Sequence, residues 1–205
     1  MLNRFLNAAI NWYVRRGLRA YHRYPADRTA VVFVDVQRGL MPAEPGLAAS
    51  LGALAQLARS RGFLVIHAPI ATDPQMPFLT PAHREIERGL SGGADAAAIA
   101  SGVGPSPSDV VLPDRRTLSI FGRPDLDALI AARGLEHLIL AGPLGDLTLD
   151  SSLRDAVQRD LHVTVVSDCI AASSPAALEL EVRHTMPRYA HLVTDLQGLE
   201  RLSAR

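Results

Sequence analysis

The sequence contains no lysine, and all 21 of its basic residues are arginine. Any mechanism that needs a lysine as proton donor, Schiff base or phosphate-binding group is therefore excluded. The basic residues balance 21 acidic residues, so the formal net charge is zero and nothing electrostatic indicates nucleic acid or an acidic partner. At 205 residues, 48% of them hydrophobic and 20% charged, the chain is typical of one globular domain with a full-sized core.

Cysteine is almost absent as well. The one cysteine, Cys169, cannot form an intramolecular disulfide, so an oxidising compartment is not indicated and we expect a cytoplasmic protein. We interpret Cys169 as a small buried hydrophobic residue, with a reactive thiol near the site as the alternative. No apolar run approaches the ~20 residues of a membrane-spanning helix.

The first residues differ from the rest of the chain. Apolar side chains recur at helical spacing from Leu2 to Leu18, and four arginines lie mostly off that stripe. We predict an amphipathic helix and hinge over residues 1–26, followed by one domain over residues 27–205. This helix packs on the domain or on a second subunit, lies on a membrane surface through residues 2–19, or forms a disordered arm.

Six apolar segments alternate with helical ones along the remainder. The predicted strands are Ala30–Val36, Phe63–Ala68, Asp109–Leu112, His137–Ala141, Val163–Ser167 and His191–Val193. This alternation predicts an α/β fold, a three-layer α/β/α Rossmann-like doubly wound sheet of about six mainly parallel strands. If the sheet winds outward from its middle, the first and fourth strands are neighbours. Asp35 and the corner at Gly142 then lie together, where ligand sites usually form.

Four motifs in order resemble the isochorismatase-like hydrolases. They are Val31–Gln37 (VVFVDVQ), the Ser119-Ile120-Phe121 segment, the stretch from Gly142 to Ala156, and Val163–Asp168 (VTVVSD). The resemblance covers about residues 28–195. It implies that family's fold, a small-molecule substrate and, together with the sheet edges, assembly into a homo-oligomer, a dimer or a tetramer.

The resemblance also implies the positions of the site, but with altered chemistry. The common amidohydrolases of the family use an Asp, a Lys and a Cys, which fall on Asp35, Arg115 and Thr148. Asp35 is the acid–base candidate, or else a structural buried acid. Arg115 cannot hand over a proton, but it can clamp a carboxylate or form an ion pair with Asp35; Arg116 is the alternative occupant. Thr148 fills a helical turn, contacts a ligand or serves as nucleophile, with Asp35 as its base.

Further substrate contacts are expected around these three residues: Gln37, Gln75, Arg84, Phe121, Pro143 and Leu144. Gln75 and Arg84 lie in the irregular segment 69–107, which we predict to cover the site. His67 and His83 have no partner at ligand spacing, so we expect neither a metal nor a cofactor.

Three functions follow from these residues. The first is a small-molecule enzyme in which Asp35 performs acid–base chemistry on a small polar or anionic substrate, held by Arg115. The second is a pseudoenzyme that binds a ligand or partner without turnover. The third is a membrane-peripheral protein that works through its N-terminal helix. We favour the first, because burying a lone carboxylate such as Asp35 is costly without a function or a partner.

Overall fold

A computed structural model describes residues 23–204 of the chain, except residues 44, 74 and 77. The predicted N-terminal amphipathic helix lies outside the described residues. The three predictions for this segment, which are packing on the domain or a second subunit, contact with a membrane surface, and a disordered arm, lie outside them as well.

The centre of the molecule is one parallel sheet of six strands in the order β3-β2-β1-β4-β5-β6. The predicted doubly wound α/β fold is confirmed, and β1 pairs with β4 as expected. The strands are β1 (Thr29–Val34), β2 (Leu64–Ala68), β3 (Val110–Val111), β4 (His137–Gly142), β5 (His162–Ile170) and β6 (Leu192–Thr194).

Helices cover both faces of this sheet. The α-helices of the described residues are α1 (Pro45–Ser60), α2 (Pro81–Gly89), α3 (Ala94–Ala97), α4 (Pro124–Arg133), α5 (Asp150–Val157), α6 (Pro175–Leu180) and α7 (Leu196–Ser203), of which α2 and α3 belong to the segment between β2 and β3. Successive side chains of a strand point to opposite faces, so β1 contributes to two cores. Val32 packs in the core with α4 and α5, whereas Phe33 packs in the core with α1 and α7. The result is three layers with the middle strands buried on both faces.

The strand ends lie within one residue of their predicted positions, except the carboxyl ends of β1 and β5. β1 ends at Val34 rather than Val36, because the Asp35 backbone turns into the left-handed region with φ 55°. β5 continues past Ser167 to Ile170, and its register against β4 shifts between Leu140 and Gly142. Both irregularities lie at the carboxyl ends of the central strands, where the candidate site lies.

None of the helices within the described part of the chain is long and apolar enough to cross a membrane.

Gly142 allows β1 and β4 to approach at this edge of the sheet. A Cβ atom at Gly142 would lie 2.1 Å from the Val34 carbonyl oxygen, so Gly142→Ala forces the two strands apart. We expect the variant to lose about 2 kcal/mol or more of unfolding free energy in urea titrations. Gly46→Ala is the control, because no heavy atom lies within 4 Å of the added Cβ. Alanine is also more favourable than glycine in a helix, by up to about 1 kcal/mol. Equal effects of the two substitutions would contradict this account.

Candidate active site

Asp35 lies directly after β1, at the middle of the sheet. Its side chain is fully buried, and its backbone N–H donates to the Ala68 carbonyl at the end of β2, at 3.2 Å. Its carbonyl oxygen accepts from the Gln37 N–H at 2.7 Å, which closes a tight turn. The left-handed backbone of a non-glycine residue costs about 1–3 kcal/mol and is concentrated at functional sites. The strain directs the carboxylate into the space between β1 and the segment that follows β3.

Arg115 holds this carboxylate in a bidentate ion pair. Nη1 donates to Oδ1 at 2.8 Å and Nη2 donates to Oδ2 at 2.9 Å, and both side chains are buried. Arg116 instead lies 64% exposed and pairs with Asp73 at 2.9 Å. Of the two candidates, Arg115 is therefore the one that faces the site.

Every N–H group of Arg115 has a partner inside the protein. The remaining three donate to the carbonyl oxygens of Ala68 at 2.7 Å, Leu118 at 3.3 Å and Ser119 at 3.1 Å. A guanidinium has five N–H donors, and all five are used. The sequence predicts that Arg115 holds an anionic group of the substrate. In this structure, however, Arg115 has no N–H group left to donate to such a group.

The protonation of Asp35 reflects two opposing effects. Burial raises the pKa of its carboxyl, because a charge in a low-dielectric interior is poorly solvated. The charge and hydrogen bonds of Arg115 act in the opposite direction, as does the Thr148 hydroxyl. Because the guanidinium stays charged, a protonated Asp35 would leave that charge buried without compensation. The pair is therefore ionised at neutral pH, with a carboxylate more basic than Arg115 alone would leave it.

Thr148 lies on the other side of Asp35, in a single π-helical turn over Gly145–Leu149 that leads into α5. Such turns are rare and frequently occur at functional sites. The Thr148 side chain is fully buried, and its hydroxyl makes no hydrogen bond of ordinary geometry although it lies close enough to affect the Asp35 carboxyl. A buried hydroxyl without a full partner costs free energy and calls for a functional explanation.

Ser152, which the sequence analysis did not single out, fixes this turn. Its hydroxyl donates to the Thr148 carbonyl at 2.5 Å and accepts from the Ile120 N–H at 3.1 Å. It thus joins α5 to the segment whose Leu118 and Ser119 carbonyls hold Arg115. The spacing is the sequence signal that could indicate this role of Ser152. Ser152 is a small hydroxyl residue four positions after Thr148, and residues at that spacing share a helix face.

The six expected substrate contacts are divided between the interior and the surface. Gln37 is buried and makes three hydrogen bonds to backbone groups of Ile70 and Ala97, at 2.9–3.1 Å. Phe121 is buried under Arg159, and Pro143 is buried at the turn after β4. Gln75 and Arg84 are exposed. Leu144 is half-buried and faces an apolar cluster above the site.

This apolar cluster, which we call the cover, consists of Leu40, Ile70, Ile86, Leu90, Leu118 and Leu144. Four of its members follow the carboxyl ends of strands or the Arg115 segment, while Ile86 and Leu90 come from α2 and the turn after it. Thr80 caps α2, since its hydroxyl accepts from the His83 N–H, and Pro81 begins the helix. The cover adjoins the ion pair through two of its members, because Ile70 pairs with Arg115 in an isolated β-bridge and the Leu118 carbonyl accepts from Arg115 Nη2.

The cover rests on a contact between two glycines. A Cβ at Gly39 would lie 2.1 Å from the Gly89 carbonyl oxygen, and a Cβ at Gly89 would lie 2.8 Å from the Gly39 carbonyl oxygen. No other residue type fits at this approach without displacement of the backbone. The end of α2 is thereby held against the segment after β1.

The histidine and cysteine candidates lie apart from this chemistry. His67 is buried, stacks on Phe33 and shares Asp109 with Arg59, which donates to the Asp109 Oδ2 at 2.6 Å. Cys169 is buried, its thiol points to the Ser50 carbonyl, and burial raises its pKa. The described residues contain no group of three or more His, Cys, Asp or Glu side chains able to hold a metal ion.

Removal of the Arg115 cation tests the ion pair. Arg115→Leu leaves the Asp35 charge buried alone, so we expect a loss of about 3–5 kcal/mol of unfolding free energy at neutral pH. Part of this loss should disappear toward acid pH. A carboxyl whose folded-state pKa is raised above its unfolded value is penalised above the folded pKa, and the penalty vanishes below the unfolded one. Urea titrations near neutral pH and at about pH 5 show whether the loss of unfolding free energy becomes smaller as the pH falls toward the unfolded-state pKa of aspartate.

Two variants serve as controls for this measurement. Arg116→Leu removes an exposed ion pair and should change stability by less than about 1 kcal/mol at either pH. The double variant Asp35→Asn/Arg115→Leu buries no charge, so it should lack the pH dependence that Asp35 gives to the single variant. If the loss of unfolding free energy in Arg115→Leu did not depend on pH, it would contradict the assignment of Asp35 as ionised at neutral pH.

Comparisons with known proteins identify the family and the fold. An isochorismatase domain model matches residues 29–196. Ureidoacrylate amidohydrolase RutB of Methylorubrum extorquens is 28% identical over 114 residues, which are 56% of this chain and 46% of that protein. The chain thus matches about half the length of this curated relative.

Two further proteins match over most of their length. The uncharacterized isochorismatase family protein YwoC of Bacillus subtilis (strain 168) is 25% identical over 179 residues, 85% of this chain and 94% of that protein. The crystal structure of an isochorismatase family protein from Desulfovibrio vulgaris subsp. vulgaris str. Hildenborough superposes with a TM-score of 0.73 at 23% identity, covering 87% of this chain and 99% of that one. From the family model, which matches most of the chain, and from the shared fold, this chain belongs to the isochorismatase family.

Proposed function

We propose that the chain is a small-molecule hydrolase that works with Asp35, Arg115 and Thr148 and needs neither cysteine nor lysine. The observation that carries the proposal is the buried Thr148 hydroxyl, which makes no hydrogen bond of ordinary geometry yet is close enough to a buried, basic carboxylate to lower its pKa. The relative named as an amidohydrolase supports an amide or ureide as the substrate class.

Asp35 retains acceptor capacity for this role. A carboxylate offers about four lone-pair sites, and Arg115 occupies one on each oxygen. Two sites remain for the proton of the Thr148 hydroxyl. Burial makes this carboxylate a stronger base than an exposed one, which is what a weakly acidic hydroxyl requires.

The proposed reaction then proceeds in two steps. The Thr148 oxygen attacks the substrate carbonyl carbon while its proton passes to Asp35, and Asp35 returns this proton to the departing amine nitrogen as the carbon–nitrogen bond breaks. Water next attacks the resulting threonine ester, giving one proton to Asp35. Asp35 passes that proton to the Thr148 oxygen as the ester bond breaks. Arg115 stays charged throughout and orients the carboxylate.

Burial of the site favours a second candidate function, a pseudoenzyme that binds a ligand or partner without turnover. Asp35 and Thr148 are fully buried, and Arg115 is only 3% exposed. A substrate must therefore displace part of the cover, whereas an inactive descendant of the fold has no such need. Turnover distinguishes the two functions. The cytoplasmic location and a dimeric or tetrameric assembly stay predictions.

The test compares the purified wild type with four variants on simple amides, ureides and isochorismate, with products identified by mass spectrometry. Asp35→Asn and Thr148→Val keep the shape of each side chain but remove the base or the hydroxyl, and each should lower turnover at least about 100-fold. Thr148→Ser keeps the hydroxyl and should retain activity within about tenfold of the wild type.

Asp73→Asn is the matched control, since this acid pairs with Arg116 outside the buried site and should leave turnover unchanged. Urea titrations establish that each variant is folded. Turnover that survives both Asp35→Asn and Thr148→Val would refute the proposed roles. Absence of turnover in the folded wild type would favour the pseudoenzyme.

A further inference from the structure

We infer that the site accepts an uncharged amide with an apolar substituent and rejects the analogue that carries a carboxylate. The inference rests on the proposed function, which it deepens by naming the substrate class. Its basis is that the one buried cation of the site has no hydrogen-bond donor left for a ligand.

Arg115 is the first reason. Its five N–H groups are committed to Asp35 and to the carbonyls of Ala68, Leu118 and Ser119. A substrate carboxylate would gain a donor only by displacing Asp35 or one of these carbonyls, which would leave a buried acceptor unpaired. The Asp35 carboxylate next to it would also repel a second negative charge.

The neighbouring arginines do not replace it. Arg38 forms an ion pair with Asp95 and Arg116 forms one with Asp73, and the side chains of both arginines are at least half exposed. Arg84 lies on α2 with its side chain exposed to solvent. Among the residues that the structure describes next to the cover, no buried cation is therefore available to compensate a carboxylate there.

The cover supplies the apolar half of the inference. Six aliphatic side chains, Leu40, Ile70, Ile86, Leu90, Leu118 and Leu144, pack together as the cover, and the backbones of Ile70 and Leu118 are paired with Arg115. A ligand that enters must take the place of some of these contacts. An alkyl or aryl substituent restores the apolar contacts, whereas a charged group would be desolvated among aliphatic carbons.

A matched pair of ligands tests the inference. Benzamide and terephthalamate share the ring and the amide, and they differ by one carboxylate. We expect benzamide to bind the wild-type protein at least about tenfold more tightly in calorimetric or ligand-observed NMR titrations, since the carboxylate would lose its hydration without gaining a partner. Equal affinities, tighter binding of terephthalamate, or binding of neither would overturn the inference.

Binding and turnover are read separately, which distinguishes the two proposals. If benzamide binds selectively but is not hydrolysed, the hydrolase proposal fails and the specificity stands. If both amides are hydrolysed with equal kcat/KM, the hydrolase proposal stands and the specificity fails.

A charge placed in the cover provides the converse test. Leu144 is half-buried beside the site, so Leu144→Arg supplies the missing donor and should shift the affinity ratio toward terephthalamate at least about tenfold. Leu144→Met has a similar volume without charge and should keep the preference for benzamide. If Leu144→Arg fails to fold, Leu40→Arg places the same charge at another half-buried position of the cover. A folded arginine variant with an unchanged ratio would contradict the inference.

Discussion

The buried ion pair between Asp35 and Arg115 determines the arrangement of the whole site. Arg115 reaches the ends of two central strands, because it binds the carboxylate after β1 and the Ala68 carbonyl at the end of β2. It also donates hydrogen bonds to the Leu118 and Ser119 carbonyls of its own loop, which fixes that loop. Taking two charges out of water costs several kcal/mol for each ion, and this cost is recovered only when every donor has a partner. The five partners of Arg115 meet that condition, and they thereby fix three segments at once.

The same pair restricts the chemistry that remains available. An arginine does not release its proton at any ordinary pH, so it polarises and orients but does not shuttle protons. A threonine hydroxyl, in turn, is much less acidic than a thiol. With both neighbours limited in this way, every proton transfer of the proposed reaction falls on Asp35. That reaction would use the basic carboxylate that burial and a strained backbone produce at this position.

The sequence predicts the framework far better than the local geometry of the site. Continuous apolar runs such as that before Asp35 identify buried parallel strands, and right-handed crossovers make β1 and β4 neighbours. The resemblance to the family's motifs predicts Arg115 as the cation of the site, with Arg116 as the alternative. The left-handed backbone at Asp35 has no local signature, because aspartate adopts it only when surrounding contacts compensate the strain. The π-helical turn of Thr148 depends likewise on packing against distant segments, and so does the role of Ser152.

The contact between Gly39 and Gly89 bears on how this site can change through evolution. The two backbones approach so closely here that neither position has room for even a methyl group. A single replacement of either glycine by alanine would wedge α2 away from the segment after β1 while leaving the sheet and the ion pair untouched. A single substitution would therefore be enough to open the pocket. The size of the ligands that reach Asp35 can thus change during evolution without any change in the ion pair.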